Sequence, residues 1–355
     1  MKIRSLFIFL FFTTFLYAQN FEDILTAGEN DASTYLENYL EPIYVGLIFN
    51  NGNGWYHTGK THKKLGFDIS INMIGTVVPN SGKNFVFRNS DYTFLELENG
   101  QSSANLPTVM GAPSTQRIAV KIPIDALGNT VPLGDHTGFK VASFETLDGI
   151  EDEIPLAVIP SPMVQVGLGL PGKTDIKLRL IPGIGNKDVS MNLFGIGLQH
   201  DLLQYFKPTK KIPLIDLSAL AAYSSVRINY TPEDTSVGVN QETDIKISTY
   251  TFQLIGNINL KIVNFYAGLG YVGGKASTKV KGTYTFNYSL QDEFGSPISG
   301  EQTEIVTDPI DMKYNASGMK ATMGLRINAA WFKIFADYSI QKYNTANIGI
   351  AFSFR

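Results

Sequence analysis

The sequence predicts an all-β fold, a transmembrane antiparallel β-barrel of about 12–14 strands with an N-terminal helical hatch. Three observations predict it. The C-terminal segments alternate apolar and polar residues with the period of a strand, and the chain opens with an export-type leader. With the chain end placed on the periplasmic side, short connections sort to that side and long ones to the other. Composition agrees: of 355 residues, 17% are charged and 12% aromatic, with 33 Gly and 17 Tyr, a mix poor in helix-forming charge and rich in strand residues. A mean hydropathy near zero fits a barrel, because barrel strands give only every second residue to lipid. Net charge is −3, which leaves no electrostatic footprint for nucleic acid. Cysteine is absent, which excludes a disulfide scaffold and thiolate chemistry.

Lys2 and Arg4 precede an apolar run, Leu6 to Leu16, too short for a membrane-spanning helix and laid out as a signal peptide cleaved after Ala18. Residues 1–18 read as the signal peptide, 19–54 as the hatch or plug and 55–355 as the barrel. The expected location is the outer membrane. Asn20 to Glu41 has apolar residues at helical spacing, with Asn20 and Asp31 as caps, Gly28 as a break and Pro42 as the end. Asp31, Ser33, Tyr35 and Tyr39 are the candidate hatch residues.

Leu65 to Met73 is the first clear strand; Asn84–Glu98 and Arg117–Ile124 are weaker ones, and Asp125–Pro162 reads as a long external loop. Strand patterns then recur at Met163–Leu170, Ile176–Leu180, Val189–Gln199, Leu217–Tyr230, Ile245–Leu260 and Asn264–Tyr284. Thr285–Asp311 reads as a second long loop. Met319–Ala329, Phe332–Gln341 and Asn344–Arg355 alternate most cleanly, and the last ends in aromatics. The polar faces of these strands carry Lys177, Arg179, Lys320, Arg326, Lys333 and Asp337, which a barrel would turn to its lumen.

No metal, cofactor or catalytic site is expected. His57 and His62 are five apart, which matches neither helical nor strand spacing for one metal, and they read as solvated or interfacial. His200–Asp201 resembles part of a catalytic pair, but no Gly-x-Ser-x-Gly elbow accompanies it. Gly167–Thr174 spells the Walker pattern, yet strands flank it where a phosphate-cradling helix N-terminus is needed.

The order of features resembles the FadL-like transporters of hydrophobic compounds, with Asp31–Ala32–Ser33–Thr34 at the hatch; Tyr35–Leu36–Glu37 stands where those proteins carry Asn-Pro-Ala. Three blocks are similar to a family of Bacteroidota outer-membrane proteins without assigned function: Gly54–Trp55–Tyr56 with His62–Lys63 and Leu65–Gly66–Phe67–Asp68; Gly195 through Asp201; and Tyr17–Gln19. The resemblance implies a porin-like channel for passive uptake of a hydrophobic or amphipathic small molecule, with outer-membrane lipid as the other partner. The alternative is a non-transporting surface barrel whose external loops bind a partner or serve envelope structure.

Overall fold

A computed structural model describes residues 24–122, 139–185, 188–206, 214–231, 238–288 and 302–354. The signal peptide read at 1–18 and the Asn20 cap lie outside them. In chain order the elements are helix α1 (Gly28–Asn51) and strands β1 (Phe67–Val77), β2 (Asn84–Arg88), β3 (Leu95–Leu97), β4 (Ser103–Pro107), β5 (Arg117–Ile122) and β6 (Phe139–Glu145). Then come β7 (Val158–Leu170), β8 (Thr174–Gly185), β9 (Val189–Asp201), β10 (Ile215–Tyr230), β11 (Gly238–Asn259) and β12 (Val263–Tyr288). The last are β13 (Gln302–Thr307), β14 (Ile310–Ala329), β15 (Phe332–Ile340) and β16 (Thr345–Phe354).

Ten of these strands close on themselves, each antiparallel to its neighbours, in the order β1, β7 to β12, β14, β15, β16 and back to β1. Closure leaves no unpaired edge, the condition for a sheet to cross lipid. The number is ten, not the 12–14 expected. Two of the expected strands, near residues 84–98 and 117–124, form β2, β3 and β5, which pair with β4 and β6 in two small sheets outside the wall. Their alternation is that of any half-buried strand, so period alone could not exclude them from the barrel.

At the level of the membrane the outward positions are mostly apolar and many inward ones polar or small. In β16 burial alternates without a break, with Ile348, Ile350, Phe352 and Phe354 outside and Asn347 and Ser353 inside. Phe354 stacks on Phe67, and Trp331 on Phe352, so one rim carries an aromatic belt. That rim has the short turns at 171–173, 260–262 and 330–331, together with the chain end. The opposite rim carries the described parts of the long connection between β1 and β7 and is the external side by the ordinary asymmetry of such barrels. Of the expected loop Thr285–Asp311, residues 285–288 end β12 and 302–307 form β13, while 289–301 lie outside the described residues.

The wall is uneven. Strands β10, β11, β12 and β14 have 16, 22, 26 and 20 residues, against 9 to 13 in the other six. The tall side therefore stands well beyond the membrane and faces the external domain of residues 78–157. Helix α1, about 36 Å long, is held between them and then descends into the lumen.

Pro42 lies inside α1, which runs nine residues past it, where the sequence predicts an end. The local cost of proline is outweighed by burial of the next two turns, in which Tyr44, Val45, Ile48 and Phe49 are enclosed against the wall. Asp31, expected as a cap, lies in the helix's first turn and is buried. No helix among the described residues is long and apolar enough to cross a membrane.

Candidate functional site

The lumen is filled by the chain's own N-terminal segment. After α1, residues 52–62 run inside the barrel, with only Lys60 among them exposed, and Lys63 to Leu65 emerge at the periplasmic rim, where the Leu65 N–H donates to Gly169 O at 2.8 Å. The expected boundary of the plug falls after residue 54; the luminal path continues to His62.

Each step of this descent is fastened to the wall. Asn50 Nδ2 donates to Ile159 O at 3.0 Å. Arg179, with no exposed surface, donates to Asn51 O at 3.2 Å, to Asn53 O at 2.7 Å and to Gln165 Oε1 at 3.1 Å. Its guanidinium carbon lies 3.8 Å from the centre of the Trp55 ring, a cation–π contact shielded from water. Lys320 donates to Gly52 O at 3.2 Å and Asn72 to Gly54 O at 3.0 Å. Gln165 donates to Trp55 O and Gln199 to Thr58 O. Asn257 Oδ1 accepts from the Thr58 hydroxyl and from the Gly59 N–H.

Lower in the lumen the two histidines converge on wall carboxylates. His57 Nε2 is 2.9 Å from Asp68 Oδ2, its ring stacks on Phe335, and Arg326 Nη1 lies 3.1 Å from its Nδ1. Because Arg326 only donates, His57 Nδ1 accepts and Nε2 carries the proton toward Asp68. His62 Nδ1 is 2.9 Å from Asp175 Oδ2, its backbone N–H donates to Asp175 Oδ1, and its Nε2 is 3.7 Å from Asp68. All four side chains are buried. Of the solvated and interfacial roles expected for these histidines the interfacial one holds, and both are clasps between plug and wall, while Lys60, Lys63 and Lys64 of the same stretch are exposed. No group of three His, Asp or Glu able to hold a metal occurs among the described residues.

The six strand residues expected at the lumen are all buried within the wall, none more than 8% exposed. Arg179, Lys320 and Arg326 contact the plug as described. Lys177 stands opposite Gly167, which in turn stands opposite Asp68, and the bare backbone of Gly167 lets the carboxylate lean across it. Asp337 accepts from Tyr266 at 2.9 Å and from Asn347 at 2.7 Å. Lys333 donates to the Ala330 carbonyl at the periplasmic turn.

The hatch residues act above the membrane. Asp31 accepts the N–H groups of Thr93, Phe94 and Leu95, so the helix start grips the external domain. Tyr35 packs edge-on to Phe85 and Phe144, and its hydroxyl accepts from the Leu147 N–H. The Tyr39 hydroxyl donates to Asp148 O at 2.7 Å. Burial raises both phenol pKa values, so both stay neutral. Ser33 is half-buried. On the tall side Tyr44 stacks on Tyr314 at 4.3 Å between ring centres.

His200 and the Walker-like run close a periplasmic turn. His200 Nδ1 meets Thr174 Oγ1 at 2.7 Å and its Nε2 meets the Tyr205 hydroxyl at 2.9 Å, while Lys173 pairs with Asp201. Neither ring nitrogen faces a serine.

A closed antiparallel barrel with an apolar outer belt and a lumen occupied by its own N-terminal segment defines a plugged transmembrane β-barrel of the outer-membrane type. Residues 1–354 match the family of unknown function DUF6588, and the chain belongs to that family. No curated protein matches. Among solved structures the chain is similar to the attachment invasion locus protein Ail of Yersinia pestis, at 13% identity over 82% of this chain and 100% of that one, TM-score 0.25. It is also similar to the outer-membrane protease OmpT of Escherichia coli, at 10% identity over 84% and 100%, TM-score 0.28. A third is the transport unit of the Escherichia coli autotransporter AIDA-I, at 6% identity over 92% and 99%, TM-score 0.29. The barrel class rests on the closed strand pairing, not on these likenesses.

Proposed function

We propose that the protein is an outer-membrane surface platform: the barrel is the anchor, and the external domain braced by α1 is the part that meets a partner. One observation carries this reading. Every stretch of the plug from Asn50 to His62 is bonded to the wall by buried polar groups, including Arg179, Lys320, His57–Asp68 and His62–Asp175. Moving the plug would leave several of these buried groups unpaired at once, each at a cost of about 1–3 kcal/mol. The polar inward groups around Arg179, Lys320 and the two histidines also offer little to an apolar molecule in transit. The histidines and carboxylates serve as fasteners, and the reading is non-enzymatic.

Passive uptake of a hydrophobic or amphipathic small molecule is the competing reading, and it needs the plug to shift. Reconstitution separates the two. The platform reading expects liposomes carrying the purified protein to take up a fluorescent long-chain fatty acid no faster than empty liposomes, and planar bilayers to stay silent. Uptake above the protein-free rate would overturn it in favour of transport. Density-gradient fractionation of cell envelopes checks the location; recovery with the inner membrane would sink the outer-membrane assignment.

A further inference from the structure

The outer face of the tall wall changes character abruptly along its length. Because β10, β11, β12 and β14 pair in unbroken register over this stretch, their outward residues form horizontal rows. One row reads Ala221, Phe252, Tyr271, Met319, all exposed and all but one large and apolar. The next row outward holds Tyr223 and Tyr250, the aromatic pair that marks a headgroup boundary. The row beyond contains Lys275, and the one after it Arg227, Lys246 and Lys313. Lys279 comes next, with Asp244 and Asp311 on either side.

In these three rows five cations face two carboxylates. Asp311 is shared by Lys279 at 3.2 Å and Lys313 at 3.5 Å, and Asp244 lies 3.8 Å from Arg227. Lys246 and Lys275 have no acidic partner among the described residues. Farther out, Glu242 is matched by Lys281 and adds no net charge. A positive band on a chain of net charge −3 is a local feature, not a consequence of composition.

On its membrane side the band stands above a recess. Ala221 is flanked in register by Leu198 on β9 and Phe252 on β11, so a small side chain lies between two large ones. The hollow has a volume of about 290 Å³, and Ile196, Tyr223 and Tyr250 complete its rim. From Ala221 to Arg227 is six residues along β10, about 20 Å, the scale of an acyl chain with its headgroup.

We propose that this face is a binding site for an acylated lipid with a phosphorylated headgroup in the outer leaflet. One acyl chain fills the recess at Ala221, and phosphate lies on Arg227, Lys246, Lys275 and Lys313. The tyrosine row holds the junction between the two. Apolar shape and positive charge on the same strands, in the order in which a phospholipid or glycolipid presents its parts, carry the assignment. It rests on the membrane placement of the barrel and is independent of what the plug does.

The test is native mass spectrometry of the full-length barrel released from nanodiscs containing diphosphorylated lipid A, or the same lipid enzymatically dephosphorylated. The wild type is expected to retain the phosphorylated lipid preferentially. The triple variant Lys246→Gln, Lys275→Gln, Lys313→Gln is expected to lose that preference by about tenfold or more. Ala221→Leu, which fills the recess, should lower retention of both lipids while leaving the phosphate preference intact. Millimolar pyrophosphate should not displace the lipid; displacement would mean a free-anion site and overturn the proposal. Equal retention of the two lipids by the wild type, or an unchanged preference in a triple variant shown to be folded by its heat-modifiable mobility, would also overturn it.

Discussion

The guanidinium of Arg179 lies 3.8 Å from the centre of the Trp55 ring while its N–H groups reach the carbonyls of Asn51 and Asn53. One wall residue thereby holds the point where α1 ends and the extended part of the plug begins. The charge is tolerable without exposed surface because every direction is used: two carbonyls and the Gln165 amide oxygen in the plane, an aromatic face above it.

Arg179→Met removes those donors and keeps much of the volume. The carbonyls of Asn51 and Asn53 then stay buried without partners, at about 1–3 kcal/mol each. The expected outcome is a loss of about 3 kcal/mol in urea unfolding from lipid vesicles, with the barrel still able to fold. Arg179→Lys should recover only part of it, since an ammonium cannot serve the fork geometry. An unchanged midpoint for the Met variant would show that the plug is held without this residue.

Asp31 performs a similar service outside the membrane, where its carboxylate takes the N–H groups of three consecutive residues, Thr93 to Leu95, at 2.6 to 3.1 Å. Charge-assisted bonds of this kind are among the stronger ones. Asp31→Ala is expected to loosen the external domain from α1 by about 2–4 kcal/mol. Amide hydrogen exchange at Thr93–Leu95 should accelerate accordingly, with β1 and β16 unaffected. Exchange that speeds up equally in the barrel strands would mean the effect is global and not a released clasp.

The barrel wall was legible where its two faces differ in polarity. From Met319 to Phe354 lipid-facing Ile, Phe and Met alternate with Asn, Lys and Thr, and the pairing keeps the same register. The plug was legible only in part. The proline rule stops a helix at Pro42, but burial of Tyr44 to Phe49 carries it on, and sequence periodicity cannot weigh that burial. His57 and His62 fit no metal or helix spacing because they serve an extended luminal path; their partners Asp68 and Asp175 belong to the wall. A signal was present in the isolated acids at inward positions of β1 and β8, beside Lys177 and Arg179. Reading those as a demand for buried partners would have pointed to the polar segment just before β1 as the one that enters the lumen.

The external sheet of β3, β5 and β6 has a built-in dependence on pH. Burial disfavours ionisation of Glu98, yet hydrogen bonds from Lys140 at 2.5 Å, Ser143 at 2.9 Å and Arg117 at 2.8 Å outweigh it and hold its pKa at about 2, below the ordinary 4.5. A carboxyl depressed in the folded state binds more protons when unfolded, so stability rises with pH through this window. The contribution is full above about 4.5 and is lost as pH falls toward 2. With the side chain 31% exposed, solvent screens much of the effect. Exchange protection of Ile118–Val120 should decline across that range in the wild type and be flatter in Glu98→Gln. An identical profile in the two proteins would place the acid sensitivity elsewhere.

Trp55 fits the lumen because β9 offers it bare backbone. A Cβ on Gly195 would stand 3.0 Å from the indole, and one on Gly197 would stand 3.1 Å from it and from the Ala222 side chain. Such contacts are closer than packed carbon atoms tolerate, and a branched side chain would need the space the ring occupies. Gly197→Val is therefore expected to push Trp55 off Arg179 and raise the plug. The wall should still close, since Gly197 contributes only its backbone to the ladder between β8 and β10. The chain has two tryptophans, and Trp331 is 54% exposed on the outer belt, so a Trp331→Phe background lets the emission report Trp55 alone. In that background Gly197→Val should shift the emission to the red and produce conductance steps in planar bilayers that the parent lacks. A red shift without conductance would mean the indole moves while the histidine clasps below it still seal the lumen. An unchanged spectrum would show that the plug yields elsewhere and that the glycines are not what seats it.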